Sequence, residues 1–429
     1  MNLLHHTNVS LRRGAVVGRR DFLRGVSLAS LAAGTASWTD VVSVRADELR
    51  RDGRACILLW MQGGPSQFET FDPKSGANGG ETKPIATKLA GVKFAENLPK
   101  LAGIADQLAI VRSMTTKEGN HQRASFLMHT SYVPTATVHH PTLGSVVAKE
   151  LPHSDCELPS FVRIGRALNS GNGGLLGTEF DAFVVQSAAK VPDNVRPTTE
   201  TARYTRRLAL LDRLEVAGNA PAASANIHDH RKLYEHASRM VLSPQMSAFD
   251  LSKEPESIRQ AYGTGEFASG CLLARRLIEA GVTFVEVSLG NWDTHDNNFD
   301  RSRTLCNQMD QPFAALVEDL RQRGMLDRTL VVWMGEFGRT PRVNPRGGRD
   351  HFPRAFSAVL AGGGIRTGQA IGSTNDAGDE IADDPITEKD LFQTIYKSLR
   401  IDTRKENMSP IGRPIRIVDG GTVVDKLLA

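Results

Sequence analysis

Short unbroken apolar runs punctuate the chain. Residues 56–61, 108–111, 282–287, 329–334 and 356–360 are each apolar at nearly every position and bounded by turn residues or charged segments. A strand half in water alternates apolar and polar, whereas one covered on both faces reads as a continuous run, so these five segments are expected to be interior strands. Helical patterns lie between them. Leu272, Leu273, Arg276, Leu277 and Ala280 recur at helical spacing ahead of Gly281, and Phe313, Leu316, Val317 and Leu320 do so ahead of Gly324. Glycine there suits a helix that ends in a left-handed residue and leads into a strand. Apolar strands alternating with amphipathic helices predict a three-layer α/β/α fold with a mostly parallel sheet.

The stretch from about 165 to 265 is less regular. It holds a glycine-rich loop at 171–174, a charged helical segment at 201–216 and a small-residue linker at 217–225, and reads as a decorating insertion in one domain spanning 47–429. No internal repeat is visible.

Composition narrows the class without naming a function. The chain has 429 residues, 40% hydrophobic and 23% charged, enough for a sizeable core. Residues 1–46 carry six arginines against Asp21 and Asp40, so the whole formal excess of +4 sits in this leader and the remainder is neutral. A neutral body gives no support for nucleic-acid binding. Cys56, Cys156, Cys271 and Cys306 include no C-x-x-C pair, which removes the zinc-ribbon and thioredoxin readings and leaves disulfides open. Arg19-Arg20-Asp21-Phe22-Leu23, followed by a mildly apolar Ala/Ser/Gly stretch to Trp38, reads as a twin-arginine signal peptide over 1–46. The stretch is too short and weakly apolar for a membrane span, so no stable membrane anchor is expected. The expected route is the twin-arginine export machinery, and the expected location is periplasmic or secreted.

In a parallel sheet, ligands bind beyond the carboxyl ends of the strands. The loops after the apolar runs carry Glu69 and Asp72, then His121 and Arg123, then Asp293, His295 and Asp296, then Glu336 and Arg339, with Asp350 and His351 ahead of the run at 356. Imidazoles with carboxylates are a donor set for a divalent metal, and Asp293 and His295, two apart, can address one ion. Glu69, Asp293, His295, Glu336, Asp350 and His351 are therefore the candidate metal ligands, with zinc, calcium, manganese and magnesium not distinguished. Arg123 and Arg339 carry forked donors suited to phosphate or sulfate. His129, His139 and His140 lie in or beside helical segments and read as structural, while Asp72, in an Asp-Pro turn, is open between a turn residue and a ligand, with Glu69 the better candidate. The glycine-rich run 362–368 follows a strand without opening a helix, so it reads as a loop rather than a dinucleotide site.

Four motifs in order, Gly63-Gly64-Pro65-Ser66 through Asp72-Pro73-Lys74, Trp292-Asp293-Thr294-His295, Gly335-Glu336-Phe337-Gly338-Arg339-Thr340-Pro341 and Gly348-Arg349-Asp350-His351, resemble the bacterial family called domain of unknown function 1501. That family in turn resembles the alkaline phosphatase and sulfatase superfamily. The resemblance implies an alkaline phosphatase-like core, metal ligands on loops after strands, and hydrolysis of sulfate or phosphate esters of a small molecule or polysaccharide. It also implies that His121 stands where the superfamily carries its nucleophile, with Thr115 and Thr116 as alternatives. His121, Arg123 and Arg339 are accordingly the expected catalytic residues. The alternative is a catalytically inactive relative serving as a binding or scaffold protein.

Overall fold

The computed structural model describes residues 53–429, except 77, 154, 167, 169, 193–194, 196–198, 218–236 and 410. Of the leader it describes only a ladder of Val9–Ser10 with Val16–Val17; the twin-arginine motif and most of the expected linker lie outside the described residues. Residues 54–429 form one compact unit.

Ala55–Met61 forms β1, buried at all seven positions. Its alternate residues enter two separate cores. Ile57, Leu59 and Met61 pack with α3 (Glu266–Glu279) and α4 (Asn298–Gln322), while Cys56, Leu58 and Trp60 pack with Met128 of α1 (His121–Thr130), α2 (Leu143–Glu150) and α5 (Glu388–Ser398). This is the three-layer α/β/α arrangement. Both faces of the sheet are sealed, which is why the strands are apolar throughout.

Among the described residues the sheet has nine strands. Besides β1 they are β2 (Ala109–Thr115), β3 (Phe161–Ile164), β4 (Phe183–Val185), β5 (Phe284–Leu289), β6 (Thr329–Met334), β7 (Phe356–Gly362), β8 (Gln369–Ile371) and β9 (Ile386–Thr387). The spatial order is β8-β2-β7-β6-β1-β5-β3-β4, with β9 also on β2. All pairings are parallel except those of β7, which runs against both β6 and β2. The expected insertion thus supplies an edge strand, β4, to the main sheet.

The reversed β7 has a consequence for the site. Antiparallel neighbours can be joined by a two-residue turn, yet residues 335–355 separate β6 from β7, folded by a short ladder of Gly338–Arg339 with His351–Phe352. Because β7 runs backwards, the start of β7 lies at the same sheet edge as the carboxyl ends of β1, β5 and β6. The Glu336 and His351 segments therefore meet the loops after β1 and β5.

Helix termini follow local chemistry. Asn120 caps α1 by accepting from the N–H groups of Gln122 and Arg123. Helix α3 ends at Glu279, and Gly281 takes φ +101° to turn the chain toward β5. Helix α4 begins well before its expected apolar face and includes Pro312.

Candidate metal centre

Three imidazoles, from the first turn of α1, the loop after β5 and the short ladder ahead of β7, converge on one carboxylate oxygen. Asp293 Oδ1 lies 3.3 Å from His121 Nε2, 3.1 Å from His295 Nε2 and 3.3 Å from His351 Nε2. His295 Nε2 and His351 Nε2 are 2.9 Å apart. Of these, His121, Asp293 and His351 form a group compact enough to hold a metal ion, and His295 adjoins it. The Asp293 side chain is 44% exposed and those of His121, His295 and His351 are 30%, 33% and 26% exposed, so the cluster opens to solvent.

The opposite nitrogen of each ring is anchored. His121 Nδ1 is 2.7 Å from Glu336 Oε1, His295 Nδ1 is 2.9 Å from Asp350 Oδ1, and His351 Nδ1 is 2.8 Å from the Gly119 carbonyl. A carbonyl can only accept, so His351 Nδ1 carries the hydrogen. Asp350 is held below the usual carboxyl range, first by its bond with His295, and so accepts as well. Glu336 also accepts the Gly63 N–H at 2.9 and 3.2 Å on its two oxygens, as an acceptor-only group does. In the neutral state every Nε2 is then a bare lone pair, aimed at other lone pairs and a carboxylate.

Such convergence is repulsive unless a cation or protons fill it, and Asp293 Oδ1 is the group that faces the buried His121 Nε2. Protons do part of this in the ion-free protein. The His121 pKa rises to about 9: burial opposes protonation, but hydrogen bonds with Asp293 and Glu336 outweigh it. Asp293 is driven far below its ordinary range; burial again opposes, and bonds from His121, His351 and Arg339 prevail. Imidazole Nε2 with a carboxylate, each imidazole held from behind by an acceptor, is the donor chemistry of a transition-metal or zinc site, and the residues fit such an ion.

Two buried arginines build the loops. Arg339, fully buried, donates to Asp293 Oδ1 at 2.6 Å and to the carbonyls of Gly63, Gly64, Trp292 and Arg349. Its donors are spent on the scaffold, so the anion contact expected of Arg339 is replaced by a brace on Asp293. Arg349 pairs with Glu69, both fully buried, at 3.0 Å and also holds the carbonyls of Thr340, Pro341 and Asn78. Glu69, expected as a ligand, thereby gives its Oε1 to Arg349, while its buried Oε2 has no hydrogen-bond partner. Glu336 and Asp350 are brought to the cluster, but on the far side of the imidazoles from Asp293. Arg123 lies at the surface, bonded to Glu118 through both Nε and Nη2. Thr115 pairs with Thr387 at the end of β2, and Thr116 Oγ1 accepts from Glu118 N–H.

Glycine permits the loops to approach. A Cβ on Gly63, whose φ is +113°, would lie 2.5 Å from Asp293 N, and one on Gly348 would lie 2.0 Å from the His295 carbonyl carbon. Asn344, which sequence reading passed over, donates to the His295 carbonyl and to Asp350 while accepting from the N–H groups of Arg346 and Gly348. The Asn-Pro-Arg-Gly-Gly run was its available signal. Phe337 was also missed; its buried ring packs 4.9 Å from His121 and 4.6 Å from His351. His129 is buried against Trp60 with Nδ1 on the Ser125 carbonyl, His140 stacks on Tyr132, and all four cysteines are free.

The chain belongs to the DUF1501 family, described as proteins of unknown function, whose profile matches residues 53–428. No curated protein matches it. Among solved structures it is similar to the lipoteichoic acid synthase LtaP from Listeria monocytogenes, at 11% identity and a TM-score of 0.41 over 82% of this chain and 73% of that one. The PsFucS1 sulfatase from Pseudoalteromonas sp. is 12% identical, with a TM-score of 0.39 over 84% of this chain and 70% of that one. The phosphonate monoester hydrolase of Agrobacterium radiobacter is 12% identical, with a TM-score of 0.33 over 87% and 77%.

Proposed function

We propose that the protein is an exported, metal-dependent hydrolase of sulfate or phosphate esters. The observation that carries this reading is the solvent-open convergence of three imidazole Nε2 atoms on Asp293 at the carboxyl edge of the sheet. His121, Asp293, His295 and His351 hold the ion; Glu336, Asp350 and the Gly119 carbonyl keep each Nε2 lone pair free for it. A divalent ion held there supplies Lewis acidity to an ester oxygen. In this reading His121 is a ligand, because Glu336 holds its Nδ1 and its Nε2 is aimed into the cluster, rather than the nucleophile its place in the chain implies. Arg123, two residues on, offers the ester anion a forked cationic contact in exchange for Glu118. Arg339 acts through Asp293, holding it ionised and in place. The twin-arginine leader delivers the folded, ion-loaded protein outside the cytoplasm.

Elemental analysis of gently purified protein, with turnover of aryl sulfates and aryl phosphates before and after chelation, tests this. Stoichiometric divalent metal and chelator-sensitive turnover are expected, both lost in a His295→Ala, His351→Ala double variant. Metal bound without turnover across a broad ester panel would replace the hydrolase with a binding protein, and metal surviving the double substitution would overturn the ligand set.

A further inference from the structure

Helix α1 carries more than His121. The next residues, Gln122 and Arg123, together with Phe126, form one side of a cleft of about 320 Å³ whose other side is Pro134 and Gly171. Its rim begins one residue, roughly 3.8 Å along the chain, from a ligand of the proposed ion. The volume lies at the lower end of small-ligand sites. Gln122 and Phe126 are four apart on the helix and face the cleft together. Val133, next to Pro134 in the chain, is 45% exposed and Leu168, three residues before Gly171, is 55% exposed.

The walls are held in place. Tyr132 stacks on His140 at 3.8 Å and 7°, and its hydroxyl donates to the Arg416 carbonyl. Thr142 N–H donates to the Asn172 carbonyl and Leu175 N–H to the His139 carbonyl, tying the Gly171 loop to the segment that carries Pro134. Behind the cleft, Arg163 is buried and paired with buried Glu286 at 3.1 Å, and both terminal nitrogens of its guanidinium reach the Gly171 carbonyl at 3.4 Å. Glycine at 171 takes φ +80°, and a Cβ there would touch the Phe126 ring at 3.5 Å. A gap between mobile loops would lack these ties. A cleft shaped before its ligand arrives loses less ordering entropy on binding.

We propose that this cleft is the subsite for the alcohol portion of the ester, and that it takes a saturated, hydroxylated ring of pyranose size. The inference rests on the hydrolase reading for the word ester, not for the ligand class. An aromatic face and a proline ring suit the C–H face of such a ring. The Gln122 amide supplies donors and an acceptor for hydroxyls at its edge. An acyl chain would make no use of the Gln122 amide, and a bare anion would leave Phe126 and Pro134 unused.

Binding is read first without turnover. Ligand-observed NMR with glucose, galactose, fucose and N-acetylglucosamine on the full chain should detect at least one, with affinity at least about tenfold weaker in Phe126→Ala and intermediate in Phe126→Leu, both melting as the wild type does. On the matching sugar sulfate or phosphate, Phe126→Ala should raise KM with kcat little changed. Failure of the wild-type protein to bind any of the sugars, undiminished binding by a folded Phe126→Ala protein, or a loss confined to kcat would overturn the subsite. Sugar binding lost in Phe126→Ala, with no ester hydrolysed by the wild type, would uphold the ligand class and sink the hydrolase reading alone.

Discussion

Replacing Glu336 with glutamine tests the outer contacts of the metal centre with a nearly isosteric change. Glu336 is wholly buried and accepts from His121 Nδ1 at 2.7 Å and from Gly63 N–H. Alanine would orphan that N–H; glutamine keeps one acceptor and removes the charge. Loss of such an outer partner typically weakens metal binding about 10–100-fold, or roughly 1.4–2.7 kcal/mol. A second effect opposes it. With His121 near a pKa of about 9, the wild-type site must expel a proton to take the ion, which at pH 7.5 weakens apparent affinity by roughly 30-fold. Removing the Glu336 charge lowers that pKa and returns part of the factor. The net loss should therefore be small near pH 7 and grow toward the full 10–100-fold, by order of magnitude, at pH 9.5. Competition of zinc against a fluorescent chelator, on protein verified as folded by circular dichroism, reads this directly. Equal affinities at pH 9.5, or a loss independent of pH, would refute the reasoning. In the ion-free protein the sign is the reverse of a carboxylate's: the pairing of His121 stabilises the fold fully below its unfolded value of 6.5 and is lost as pH rises through about 9.

Glu69→Ala leaves the buried Arg349 guanidinium without its carboxylate, and calorimetry should show a loss of about 3–5 kcal/mol, whereas a loss under about 1 kcal/mol would mean that the Arg349 carbonyl contacts suffice. Asp310 accepts from the N–H groups of Lys100 and Leu101, yet burial, the larger influence, pushes its pKa up to about 6 from 3.8. The native state then keeps a proton the unfolded chain has released, so stability should fall between about pH 4 and 6, and urea titrations of Asp310→Asn should show a flatter slope there. For the leader, Arg19→Lys with Arg20→Lys should leave full-length precursor in the cytoplasm on cell fractionation, and unchanged export would remove the twin-arginine assignment.

The central layer was legible because burial on both faces demands continuous apolar residues. The run at 329–334 is β6 to the residue. The inner strand β3 and the edge strand β4 were not, since four and three residues are too short to show a period. Helix α4 was found only at its apolar end: its first turns carry Asp300, Arg301, Arg303 and Asp310, and Pro312 interrupts the pattern without breaking the helix. The imidazoles and carboxylates of the site could be collected from loops beyond strands, because side-chain chemistry is written in the residue types. Their division of labour could not. Asp293 and Glu336 are both acidic residues beyond strands, yet one faces His121 Nε2 and the other Nδ1, and only the packing of α1 against the loops after β5 and β6 decides which. The same holds for Arg339 and Arg123: burial turned one guanidinium into a brace and exposure left the other available, and burial is a property of the assembled layers rather than of any local window.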